Sequence, residues 1–211
     1  MSRSYRTDPV RVQAARRRSL APLKLVERSP RPGDVHVLSR RQLAALLPQL
    51  PLELVNGLRR IELLPRASDA LGDPFGFYTP SERTIGLYSL PAGEWRFPSM
   101  GTRFSNVIQE CGGEVFNSGT GTVVRWRTRK GAARFMLCWV FMHELGHHLD
   151  WRYAHKRKLP PTVRMREESA DMHMRRSIAS NWATLQMQGR EVVRSDLLGQ
   201  ALSRAPRRGK L

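Results

Sequence analysis

Cysteine is nearly missing from this chain of 211 residues, where only Cys111 and Cys138 occur. Two thiols cannot build a disulfide framework, so the fold must rest on a hydrophobic core. Cys138, set inside an apolar run, reads as a small core residue, and the pair fits a reduced, cytoplasmic compartment. Acid is scarce as well: 18 Asp and Glu stand against 36 Lys and Arg, a formal net charge of +18. Lysine is confined to Lys24, Lys130, Lys156, Lys158 and Lys210, so the excess is arginine. Such a balance means either a phosphate-bearing partner such as nucleic acid or a general bias toward arginine, and charge alone does not separate the two. Long apolar runs are lacking too. None approaches the roughly 20 residues needed to cross a bilayer, and no continuous apolar segment of a secretory signal occurs, so no membrane partner is expected. No internal repeat is present.

What is there suffices for one core, since 40% of the residues are hydrophobic. Residues 1–34 hold eight arginines and four prolines with little apolar periodicity, and read as a basic, flexible arm. Residues 35–188 form the main domain. Residues 189–211 read as a last amphipathic helix, from Arg190 to Arg204, and a basic tail. Within the domain, leucines at helical spacing predict helix from Ser39, a plausible cap, to Leu58, interrupted at Pro48 and Pro51. Arg60–Leu64 reads as a strand, and Phe75–Leu90 as a hairpin around Pro80–Arg83. The glycine-, proline- and serine-rich stretch 93–121 is expected to be irregular or loosely stranded, with no site. Val123–Trp126 is a further strand. Arg125, Arg127, Arg129 and Lys130 with Trp126 between them have the composition of a base-stacking, phosphate-contacting surface. An alternating strand with one solvated face gives the same letters.

The chemistry concentrates between Val140 and Met174. Phe135–Met142 is apolar throughout and predicts a buried helix leading into His143-Glu144-Leu145-Gly146-His147. Residues four apart on a helix point about 40° apart, so the imidazoles of His143 and His147 can converge on one cation. Glu144 falls beside that face, where a carboxylate can hold and deprotonate a water as general base. Gly146 weakens a helix relative to alanine, and a close approach of another segment accounts for it. A catalytic zinc takes three protein ligands and keeps a fourth position open. The third is expected downstream, where Glu167 and Asp171 stand four apart: Glu167 as ligand, with Glu168 as competitor, and Asp171 orienting a ligand histidine through its other ring nitrogen. Charge and two prolines in residues 155–161 should end the first helix near Tyr153. His148 points about 100° from His147 and is expected to be packed or solvent-facing. Met174, Ile178, Trp182 and Leu185 keep helical spacing and should pack the second helix on the first.

His143-Glu144-Leu145-Gly146-His147 followed by Glu167-Glu168-Ser169-Ala170-Asp171 resembles the gluzincin metallopeptidases. Within them it is similar to small single-domain zincins, the minigluzincins and the catalytic domains of anthrax lethal factor type. The resemblance implies a Zn2+-dependent endopeptidase with His143, His147 and Glu167 as ligands and Glu144 as base. It implies an α+β, zincin-like fold in which a small mixed sheet lies over a zinc helix and a glutamate helix. It also implies that the sheet's edge strand binds an extended protein or peptide substrate by strand addition. Thr84–Tyr88 and Val123–Trp126 are the candidates for that edge. Relatives of this kind place a Tyr or His donor against the tetrahedral oxyanion. Here Tyr153, His155 and His173 are candidates, and the residues do not choose among them. The charge keeps two other readings open, a nucleic-acid-binding protein on a zincin scaffold and a protease recruited to DNA. A toxin or effector peptidase is a further setting.

Overall fold

Leu23 and Leu25 flank Lys24, and this short apolar segment begins the fold within the stretch expected to be a flexible arm. The computed structural model describes residues 23–66, 75–153 and 162–191, with side chains through Ser180. In chain order the strands are β1 (Lys24–Glu27), β2 (Asp34–Val35), β3 (Arg60–Leu64), β4 (Gly76–Thr79), β5 (Thr84–Tyr88), β6 (Leu90–Pro91), β7 (Trp95–Phe97), β8 (Gly113–Ser118) and β9 (Gly121–Trp126). The helices are α1 (Arg40–Leu46), α2 (Leu52–Val55), α3 (Thr102–Glu110), α4 (Arg129–Phe135), α5 (Met142–Tyr153) and α6 (Val163–Glu191). The chain is a mixed α+β protein with small sheets.

The larger sheet has the order β1-β3-β5-β4. β1, β3 and β5 run parallel, and β4 turns back antiparallel to β5 through the expected hairpin. β1 and β2 correct the boundary placed at residue 35. Lys24 donates its backbone N–H to Arg59 O at 2.9 Å, and β1 pairs with β3 along its length. Cross-strand pairing with a distant segment, invisible to composition, overrides the arm-like appearance. Residues 1–22 lie outside the described residues. At the other end α6 runs through Gly189 to Glu191, so no break falls at 188; the rest of the expected last helix and tail lies outside the described residues.

The second sheet is antiparallel, in the order β7-β9-β8. Over 93–121, expected to be irregular or loosely stranded, the chain forms the strands β7 and β8 and, as a departure, the helix α3. Phe104, Val107 and Ile108 give α3 one apolar face, and Gly112, at φ 87, turns the chain out of the helix. Glycine at the turns masked the pattern. The helix expected from Ser39 does start there, with a reciprocal Ser39–Gln42 capping box, and the two prolines divide it into α1, a 3-10 turn at Leu47–Gln49, and α2.

Both expected edge strands are interior. β5 lies between β3 and β4, and β9 between β7 and β8. The edge that flanks the site is β4. It lies directly on the helical layer, because a Cβ at Gly76 would fall 2.9 Å from Val140 Cγ1. Val140 belongs to a π-helical segment, Met136–Phe141, that joins α4 to α5 without a break. A π segment widens the helix locally and is found mostly at functional sites. Phe135, Phe141, Met142 and Leu145 are buried against Ile61, Ile85 and Leu87 of the sheet, each contributing roughly 1.5–3 kcal/mol of burial. Phe75, Trp95, Phe104, Trp126 and Phe135 lie in a chain of ring contacts 5.1–5.9 Å apart that ties the two sheets to the helix. Among the described residues no helix is long and apolar enough to cross a membrane.

Candidate metal centre

His143 and His147 project from α5 and Glu167 from α6, and one ligand atom of each lies within 4.8 Å of the other two. His143 Nε2 is 3.2 Å from Glu167 Oε2, and His147 Nε2 is 3.5 Å from Glu167 Oε1. The two rings stand at 86° with centroids 4.7 Å apart. Two imidazole nitrogens and a carboxylate turned toward one point form a donor set that suits zinc. His143 Nδ1 lies 3.0 Å from Asp171 Oδ1; a hydrogen on Nδ1 donated to that carboxylate would leave the Nε2 lone pair to a metal. Asp171 also accepts from Arg103 of α3. Glu168, the competing ligand, is turned outward and accepts from Arg164 Nε at 2.8 Å.

The geometry depends on how closely α5 and α6 cross. A Cβ at Gly146 would lie 2.5 Å from Ala170 O and 2.9 Å from Ala170 Cα, and Ala170 is fully buried. Asp150 of α5, also buried, accepts from Ser169 Oγ of α6 at 2.7 Å and adds a second tie. Met174 is buried at the same crossing and Ile178 packs against the core; Trp182 and Leu185 lie beyond the described side chains.

These residues open onto a cavity of about 1010 Å³. Its wall includes the apolar Phe104, Val107, Phe135 and Trp139 as well as His143, Glu144, His147, Glu167 and Asp171. Glu144 is only 6% exposed. Burial, and then the nearby Glu167 charge, push its carboxyl up to about 8. A divalent cation held by the three residues would oppose the Glu167 contribution. Burial and the neighbouring His143 lower the pKa of His147, which favours the neutral, metal-binding form.

His148 is packed, with no exposure, between Tyr78 and Trp151. Its Nδ1 is 2.9 Å from the Tyr78 hydroxyl and its Nε2 3.0 Å from Asn56 O. Burial depresses it to about 4 and raises Tyr78 to about 12. Of the three oxyanion candidates, Tyr153 and His173 are not on the cavity wall, and His155 lies outside the described residues. Tyr78 and Arg103, which are on the wall, were not singled out by the sequence. Nothing local marks them, since their partners lie 70 and 68 residues away.

In the basic stretch at β9 the tryptophan does not share the solvent face of the arginines. Trp126 turns inward against Trp95 and Phe135. Arg125 pairs with Glu94 at 2.5 Å and lies over the Phe116 ring, Arg96 shares Glu94 at 3.0 Å, and Arg127 pairs with Glu114 at 2.5 Å. Comparison with protein-family models, curated proteins and solved structures finds no match to this chain.

Proposed function

We propose that the chain is a zinc-dependent endopeptidase of gluzincin type, with α5 as zinc helix and α6 as glutamate helix of a zincin-like fold. The observation that carries this reading is the convergence of His143, His147 and Glu167, with Asp171 on the far nitrogen of His143. His143, His147 and Glu167 would hold Zn2+, which when bound supplies a Lewis acid for the scissile carbonyl and acidifies water. Glu144, buried beside them with a raised pKa, takes a proton from the attacking water and passes it to the leaving amine. The close crossing at Gly146 keeps the ligands in register. Among the described residues β4 pairs with β5 alone, and none of them pairs with its outer edge beside the cavity. An extended peptide adds there by backbone hydrogen bonds, with an apolar side chain received by the aromatic residues of the cavity wall.

The test is zinc analysis of the purified protein together with cleavage of denatured casein. About one zinc per chain and chelator-sensitive cleavage support the reading; a protein that takes up no zinc on reconstitution sinks it. The charge of +18 supports a second reading, recruitment to nucleic acid, although the arginines of the β7–β9–β8 face are matched by Glu94 and Glu114. A gel shift abolished by moderate salt, with casein cleavage stimulated by DNA, would favour recruitment.

A further inference from the structure

Tyr78 is a polar group on the cavity wall that the proposed chemistry leaves unused. It stands on the edge strand β4, two residues from Gly76, and so on the same face, which packs against the helical layer. Its hydroxyl meets His148 Nδ1 at 2.9 Å, while His148 Nε2 meets the carbonyl oxygen of Asn56 at 3.0 Å. The imidazole is wholly buried, and both of its hydrogen-bond partners are neutral, so the neutral form is favoured.

These contacts set the direction of every hydrogen bond in the chain. A carbonyl oxygen only accepts, so Nε2 carries the ring hydrogen. A neutral imidazole has one N–H, which leaves a lone pair on Nδ1, and the hydrogen between Nδ1 and Tyr78 then comes from the phenol. The Tyr78 O–H is therefore committed to His148, and what its oxygen offers to any other group is a lone pair. It is an acceptor by construction.

We propose that Tyr78 accepts a hydrogen bond from an N–H of the peptide substrate held in the cavity, and that His148 is a positioning residue that fixes this polarity. The inference rests on the peptidase reading above and deepens it by naming a requirement on the substrate. The peptide must carry hydrogen on the nitrogen facing Tyr78, so a proline or an N-alkylated residue at that position is rejected. Tyr78 is thereby excluded as donor to the oxyanion, even though it is a tyrosine on the cavity wall.

The tautomer is read without metal or substrate. In 15N spectra of the full chain, His148 should show a protonated Nε2 and a bare Nδ1, with the Nδ1 signal moving when Tyr78→Phe removes its partner. A protonated Nδ1 overturns the proposal. Its use is read on the zinc-loaded Glu144→Gln variant, with a hexapeptide carrying phenylalanine and leucine at its centre and with congeners N-methylated at one backbone nitrogen at a time. One congener should bind about tenfold more weakly than the parent, and Tyr78→Phe should weaken the parent by a similar factor while leaving that congener unchanged. Tyr78→Phe in the otherwise unmutated enzyme should raise KM with kcat nearly intact. A fall of about a hundredfold in kcat with KM unchanged makes Tyr78 an oxyanion donor and overturns the assignment, as does a cycle in which the two changes simply add. A zinc-loaded protein that cleaves no peptide defeats the peptidase reading, whereas cleavage with an additive cycle defeats the Tyr78 assignment alone.

Discussion

Two charged regions of this molecule are built in opposite ways. At the crossing of α5 and α6, imidazoles and carboxylates are gathered around a point, Glu144 is 6% exposed, and Asp171 and Asp150 are engaged by hydrogen bonds. At the β7–β9–β8 face, Arg96 and Arg125 share Glu94 and Arg127 pairs with Glu114 at the surface, with Arg125 and Arg127 more than half exposed. Arginine and glutamate side chains on a wet surface are screened and exchange partners at little cost. The same kinds of group taken out of water shift their pKa and hold fixed hydrogen-bond directions. Formal charge therefore says little about where chemistry occurs, and burial together with convergence says much.

The contrast can be broken at either end. The largest effect is expected from Glu167→Ala, which removes one of three ligands: zinc retained at full occupancy by equilibrium dialysis would refute the three-ligand site. Glu144→Gln should keep the metal and lower kcat by about 10²–10⁴-fold; casein cleavage at the unmutated rate would remove Glu144 from the role of base. Gly146→Ala forces a Cβ to within 2.5 Å of Ala170 O and should separate the helices. A loss of about 1–3 kcal/mol in urea unfolding is expected, with weaker zinc binding; unchanged stability would mean the crossing yields freely. Asp171→Ala frees the far nitrogen of His143 and should weaken zinc affinity by about 10–100-fold with the fold intact. Arg125→Ala, in the exposed network, should leave Tm and zinc affinity unaltered; a clear loss of either would mean the surface network communicates with the site.

The part of the molecule legible in the sequence was the part encoded by short periodicities. His143, Glu144 and His147 share one helical turn and its neighbour, and Glu167 and Asp171 lie on one face of the next helix, so a repeat of 3.6 residues suffices to group each set. Alternation likewise marked Arg60–Leu64 and the hairpin of β4 and β5, and Gly146 announced a close neighbour that proved to be Ala170. Reading by composition failed at β1, where two apolar residues among arginines pair with β3, and over 93–121, where turn glycines concealed α3.

By itself, then, the sequence grouped His143, Glu144 and His147 on one helix and Glu167 and Asp171 on the next, because the members of each group lie within four residues of one another. The tertiary structure decided which strand is an edge, that Arg103 braces Asp171, and that Tyr78 gives its hydrogen to His148 while Asn56 fixes the imidazole. Those contacts join residues 68 to 92 positions apart. They follow from strand order and helix crossing, which arise only when the whole core closes, and no local pattern carries them.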